Sequence, residues 1–251
     1  MVQDLIRDAA RDKRLLFNSW VMLGSAHAVE VLGQAGWDTV TLDMQHGAIG
    51  HEAMIACLTA AQLAGMPALA RVADNNPGLI GAALDGGAQG VICPMINSGD
   101  DAERLIDAVK YPPRGKRSWG PYRAKPMIKG DYFQGANGWT VACAQIETGE
   151  ALKNIDDILA TDGLDMVLAG PNDLAITLTG APDIFAAEVV DALDLILKKA
   201  REASVMAAVF ANSIDFARPL SKAGWDLLTV GTDGGLLAAA ASDVITQLRP
   251  T

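Results

Sequence analysis

Short apolar runs punctuate this chain from end to end. They cover Leu15 to Met22, Thr39 to Leu42, Ala68 to Val72, Gly90 to Cys93, Thr140 to Ile146, Asp165 to Ala169, Ala207 to Phe210 and Leu227 to Val230. Nearly continuous hydrophobicity over so few residues marks strands buried on both faces, as parallel strands are. The longer stretches between them, among them Glu52 to Ala64, Asp100 to Lys110, Ala187 to Ala203 and Leu236 to Leu248, read as helices. This alternation predicts one α/β domain over residues 1–251, a single (β/α)8 TIM barrel. Near-repeated phrases mark the helix-to-strand turns: Gln34-Ala35-Gly36-Trp37-Asp38, Lys222-Ala223-Gly224-Trp225-Asp226 and Asp85-Gly86-Gly87-Ala88. A Gly just past the last helical turn is a C-cap signal.

One segment breaks the rhythm. Residues 111–138 form a long loop rich in Pro and Gly that carries Arg114, Lys116, Arg117, Arg123, Lys125 and Lys129. Loops of this length in a compact domain are usually functional or partner-bound. This one is expected to favour an anionic substrate, to contact a neighbouring protomer, or to be a solvated basic excursion.

Composition narrows the classes. With 251 residues, half of them hydrophobic and a fifth charged, the chain can bury a large core. A net charge of −10 leaves no basic stripe for nucleic acid. Cys57, Cys93 and Cys143 are an odd number in separate apolar runs, so they read as reduced core residues of a cytoplasmic protein. The first residues lack the apolar stretch of a signal peptide, and no window reads as a membrane helix.

The candidate chemistry lies where the strands run out, which in α/β proteins is where ligands bind. Glu147 closes the fifth strand and Asp173 follows the sixth, in Gly170-Pro171-Asn172-Asp173. A carboxylate there is costly to desolvate unless paired or metal-bound, and two on consecutive strands suggest a hard divalent cation. Alternatively, Asp173 caps the helix it opens. Gln145, two residues before Glu147, is a candidate substrate-binding residue. Arg71, inside the apolar third strand, needs a buried partner, either an anionic ligand in the barrel mouth or a nearby Asp. In Leu42-Asp43-Met44-Gln45-His46-Gly47, Asp43 is expected to orient the His46 ring as a general base, unless His46 caps the next helix. Gly231 to Gly235 reads as a turn with an Asp cap, and the nine lysines fall outside the predicted strand cores, against a Schiff-base mechanism.

The phrases LDMQHG (42–47), ARV (70–72), PMINSGDDAERLIDAVKYPPRGKRS (94–118), AQIETGEALKNID (144–156) and GLDMVLAGPNDLA (163–175) closely resemble the HpcH/HpaI family of class II pyruvate aldolases. The resemblance implies a carbon–carbon lyase that reversibly cleaves 4-hydroxy-2-oxoacids to pyruvate, or a related 2-oxoacid, and an aldehyde. The alternative is a lyase or decarboxylase acting on another 2-oxoacid or a citramalyl-type substrate through the same site. By analogy Glu147 and Asp173 hold Mg2+ or Mn2+, with Co2+ a further candidate. Arg71 contacts pyruvate, Gly170, Pro171 and Asn172 hold its carboxylate by backbone groups, and Asp43 with His46 forms the acid–base apparatus. Phe210 is placed on the acceptor side. The family also implies a homo-hexamer with the last helix exchanged between protomers. One departure is the loop DMQHG, where the best-known members carry an acidic residue just before the His.

Overall fold

The computed structural model describes residues 4–249. Eight parallel strands close into a barrel in sequence order: β1 (Leu16–Val21), β2 (Thr39–Asp43), β3 (Ala68–Arg71), β4 (Gly90–Cys93), β5 (Val141–Ile146), β6 (Met166–Ala169), β7 (Met206–Ala211) and β8 (Leu227–Thr232). Around them run α1 (Leu5–Arg11), α2 (Ala26–Gln34), α3 (His51–Leu63), α4 (Pro77–Asp85), α5 (Gly99–Val109), α6 (Tyr132–Trp139), α7 (Gly149–Lys153), α8 (Ile155–Leu159), α9 (Pro171–Thr179), α10 (Ala187–Glu202), α11 (Ile214–Leu220) and α12 (Asp233–Leu248). The (β/α)8 architecture expected from the alternation is therefore the observed one.

Because strand side chains alternate, each strand feeds two cores. Val40, Leu42, Ala70, Val91, Ala142, Ala144 and Ile146 point outward and pack under the helices. Leu16, Trp20, Leu69, Ile92, Val141, Cys143, Met166 and Leu168 point inward and fill the lumen. The same period of two carries Asp43, Arg71, Gln145 and Glu147 into the lumen at the carboxyl ends of β2, β3 and β5. From below, α1 plugs the barrel with Ile6 and Ala9. Arg7 and Lys110 fasten that floor by gripping Asp165, each at 2.7 Å. The repeated turn phrases are explained by conformation: Gly36 and Gly224 have φ of 92° and 102°, a region costly for a residue with a Cβ.

The basic segment lies at the opposite end of the barrel from the strand ends that carry Glu147 and Asp173. Tyr111, Ala124, Tyr132 and Ala136 form a small core of their own. Four of its six cations are spent on neighbouring acids and carbonyls: Arg117 on Asp85 at 2.7 Å, Arg114 on Glu103 at 3.0 Å, Lys116 on Asp107 at 2.5 Å and Arg123 on the Gly86 carbonyl at 2.7 Å, while Lys125 and Lys129 are exposed. It offers no charge to a substrate in its own barrel. The three cysteines are buried and unpaired, and no helix among the described residues is long and apolar enough to cross a membrane.

Candidate active site

A cavity of about 310 Å³ opens at the carboxyl end of the barrel. Its lining includes Asp43, His46, Arg71, Gln145, Gly170, Pro171, Asn172, Asp173 and Phe210, so the structure gathers these residues of separate strands in one place.

Glu147 stands beside this group, 3 % exposed. Its Oε1 accepts the Met95 N–H at 2.8 Å and its Oε2 accepts the Gln145 amide at 2.5 Å. Met95 presents that N–H from a left-handed backbone, φ 55°, a conformation uncommon outside glycine. Among the described residues no cationic side chain forms a salt bridge with Glu147. Burial therefore pushes its carboxyl up to about 7, the Asp173 charge adds to the rise, and the Met95 N–H, Arg71 charge and Gln145 amide offset only part of it. The Gln145 Oε1 is buried with no hydrogen-bond partner. Gly170 completes the wall: a Cβ there would lie 3.0 Å from the Glu147 Cβ and 3.1 Å from the Gln145 Nε2.

This donor set fits a hard divalent cation. It supplies two carboxylates and an orphaned amide oxygen, and a cation would relieve the two acids. No group of three or more His, Cys, Asp and Glu side chains clusters for a metal among the described residues. Water and substrate oxygens would complete the shell, as hard cations allow.

Asp43 is a buried carboxylate in the opposite condition. It lies directly across from Arg71 in the β2–β3 register. Arg71 grips it in a fork, Nε to Oδ1 at 2.9 Å and Nη2 to Oδ2 at 2.5 Å. The Trp20 indole N–H donates to Oδ2 at 3.1 Å, and the backbone N–H groups of Gln45 and His46 donate to Oδ1, each at 3.1 Å. Burial acting alone would raise this acid, but Arg71, Trp20 and the His46 N–H together outweigh it and hold it below its ordinary value. The Trp20 ring also supports the guanidinium, 4.9 Å from its centroid.

Two expectations are corrected by this geometry. Asp43 meets His46 at the backbone N–H and not at the ring, because its oxygens are already taken by five donors; the exposed imidazole stands at the pocket rim. The carboxylate cradle also shifts. The Gly170 N–H is spent on the Ile146 carbonyl at 3.0 Å and Pro171 has no N–H, so the free donors in the first turn of α9 are those of Asn172 and Asp173.

The competing readings also resolve. Arg71 does form a structural ion pair with an Asp while lining the cavity. Asp173 makes no capping bond, since Gly170 is the N-cap of α9, and His46 does not cap α3, whose N-cap is Gly50. In the last turn Thr232 is the cap, while Asp233 accepts the Met22, Leu23 and Gly234 N–H groups. No lysine lines the cavity; the one deeply buried lysine, Lys110, is in the floor.

Trp20, Asn212 and Thr232 also line the cavity, and none of them was expected there from the sequence. Trp20 packs edge-on against Phe210, with centroids 5.4 Å apart. An aromatic side chain inside an apolar run carries no outward sign of this role. Asn212 and Thr232 had the signal already used for Glu147 and Asp173, a polar residue at the end of a strand.

Comparison with known proteins agrees with this architecture. The family model described as HpcH/HpaI aldolase/citrate lyase matches residues 16–240. A hydroxypyruvate/pyruvate aldolase of Rhizorhabdus wittichii is 39 % identical over 247 residues, spanning 97 % of this chain and 98 % of the relative. A 4-hydroxy-2-oxo-heptane-1,7-dioate aldolase of Shigella sonnei is 30 % identical over 96 % of this chain and 93 % of its own. The crystal structure of a family protein from Burkholderia cenocepacia J2315 superposes with a TM-score of 0.92 at 31 % identity, covering 99 % of this chain and 100 % of that one. The match to the family model spans all eight strands and every strand-end residue of the cavity, and the chain belongs to the HpcH/HpaI aldolase/citrate lyase family.

Proposed function

We propose that this protein is a class II pyruvate aldolase, an aldehyde-lyase that reversibly cleaves 4-hydroxy-2-oxoacids to pyruvate and an aldehyde. The observation that carries this reading is Glu147. It is a buried acid with no salt-bridge partner among the described residues, near Asp173, the unpartnered Gln145 oxygen and the charge of a fixed arginine, Arg71. Curated relatives named as aldolases support the class.

Glu147 and Asp173 would hold the divalent cation, Mg2+ or Mn2+, with Co2+ also accommodated by such oxygen donors. When bound, the cation supplies Lewis-acid polarisation of a carbonyl oxygen. Arg71 supplies a positive charge that needs no reorganisation, because Asp43 and Trp20 already lock its plane. Its Nη1, which has no part in the fork to Asp43, would donate to the substrate. The Asn172 and Asp173 N–H groups at the start of α9 would hold the substrate carboxylate. His46, exposed at the rim and unencumbered at its ring, would accept or return the proton of the acceptor hydroxyl.

The test is activity with a 4-hydroxy-2-oxoacid after treatment with EDTA and then Mn2+. Loss and recovery are expected, with no adduct trapped by borohydride and pyruvate; a trapped adduct overturns the metal mechanism.

We also place the protein in the cytoplasm, a location that fits three buried free thiols, and assign it a homo-hexamer in which α12 is exchanged. Of α12, Asp233 alone is buried, while Leu236, Leu237, Val244, Ile245 and Leu248 are exposed. Five exposed apolar side chains on one helix are costly in water unless a neighbour covers them. Light scattering should give six protomers, and fewer for a protein ending at residue 235; a monomeric full-length chain overturns the assignment.

A further inference from the structure

We propose that Asn97 is a positioning residue of the cation site. It locks the turn after β4 onto the turn after β5, so that the Met95 N–H holds one oxygen of Glu147 and leaves the other for the cation. The inference rests on the reading of Glu147 as a metal ligand and deepens it.

The turn after β4 runs Pro94-Met95-Ile96-Asn97. Ile96 is sealed in the core at 1 % exposed, whereas Met95 beside it is 53 % exposed. Packing of the Met95 side chain therefore does not account for its left-handed backbone, φ 55°. What the conformation places is the N–H, 2.8 Å from the Glu147 Oε1. A residue other than glycine keeps such a backbone only where its surroundings over-determine it.

Asn97 supplies that constraint. Its N–H donates to the Asp101 carboxylate at 3.1 Å, its carbonyl accepts the Asn154 amide at 2.7 Å, and its Oδ1 accepts the Thr148 hydroxyl. These partners lie in α5, at the junction of α7 with α8, and at the N-cap of α7. Thr148 follows Glu147 in the chain and is itself held, because its Oγ1 accepts the Ala151 N–H at 3.0 Å. Two rungs thus join the turns, Met95 to Glu147 and Asn97 to Thr148, and the second fixes the spacing of the first.

The consequence is a choice of oxygen. With Oε1 taken by a backbone donor, Oε2 accepts from Gln145 and would lie 3.3 Å from a Cβ at Gly170. Gln145 and Gly170 both line the cavity. Glu147 is therefore presented to a cation through Oε2, in a fixed orientation. Hydrogen bonds that orient a metal ligand in this way are worth about 10- to 100-fold in affinity.

The experiment uses the full-length protein. Mn2+ binding is followed by electron paramagnetic resonance, and hydrogen exchange of the metal-free protein is followed by mass spectrometry over residues 94–98. Asn97→Ala should speed exchange in this segment and weaken Mn2+ binding by about tenfold or more, with the far-UV circular dichroism unchanged. Thr148→Val should do the same, Thr148→Ser should stay within about threefold of the parent, and the Asn97→Ala, Thr148→Val double substitution should lose no more than the weaker single one. Met95→Gly added to Asn97→Ala should recover about threefold or more, because glycine holds a left-handed backbone without steric cost. Parental Mn2+ affinity in Asn97→Ala, even with a lowered urea midpoint, shows a merely structural role and overturns the proposal, as does a loss that Met95→Gly does not recover. An unaltered protein that binds no Mn2+ overturns the metal-site reading itself.

Discussion

The pH dependence of cation binding gives the most searching test of the site, because it reads Glu147 directly. A cation must displace the proton from this acid. With its pKa at about 7, Glu147 is almost fully ionised at about pH 8 and about 1 % ionised at about pH 5. Apparent Mn2+ affinity should therefore fall about 90-fold over that interval, a loss of about 2.7 kcal/mol. A glutamate at its ordinary 4.5 would lose only about 1.3-fold. Mn2+ binding can be followed by electron paramagnetic resonance, with His46→Asn as a control that should leave the slope in place. The linked effect on stability has a definite sign. A folded-state pKa above the unfolded one favours the protonated acid, so the contribution is full below about pH 4.5 and is lost as pH rises through about 7. For the metal-free protein this amounts to up to about 3 kcal/mol, and Glu147→Gln should abolish that part of the slope in urea denaturation. A change in Mn2+ affinity of less than about threefold between the two pH values would refute the reasoning.

Two further substitutions probe the same walls. Arg71→Lys keeps the charge but loses the fork, and should lower kcat by about 10²- to 10³-fold. It should also cost about 3 kcal/mol of unfolding free energy through the half-satisfied Asp43, read by urea denaturation; a variant within twofold of the parent in rate would remove Arg71 from the mechanism. Gly170→Ala sets a methyl against Glu147 and Gln145 and should weaken Mn2+ binding by about 10- to 100-fold without changing the far-UV circular dichroism. Unchanged affinity would show that these side chains have room to move.

The barrel was legible because parallel strands buried on both faces leave uninterrupted apolar runs, and the observed strands end within two residues of those runs. The strand-end acids were legible for the same reason, since a charge interrupts such a run. What depended on register was not. Trp20 donates to Asp43 from the neighbouring strand, a contact fixed by the β1–β2 pairing and invisible along the chain. The spacing of Asp43 and His46 suggested a ring contact, yet a carboxylate at the head of a turn most readily accepts the turn's own N–H groups, and Asp43 does so at Gln45 and His46. The basic segment looked like substrate chemistry because sequence shows its cations without the acids of α4 and α5 that neutralise them.

The two buried acids of this pocket differ in what surrounds them, and that difference assigns their work. Asp43 has five donors, an arginine fork among them, and is held ionised below its ordinary value. An acid so saturated has no lone pair to offer a proton or a cation, and its use is to fix the plane of Arg71. Glu147 has two donors and no cation, so burial raises it to about 7. It is the acid for which a bound cation would bring the larger relief, and the one whose proton such binding must expel. Environments that push two carboxyl groups in opposite directions separate a scaffold anion from a working ligand. On this argument, exchanging the roles by removing the Arg71 fork would leave Asp43 as a second uncompensated acid, and a cation would then have two sites to choose between.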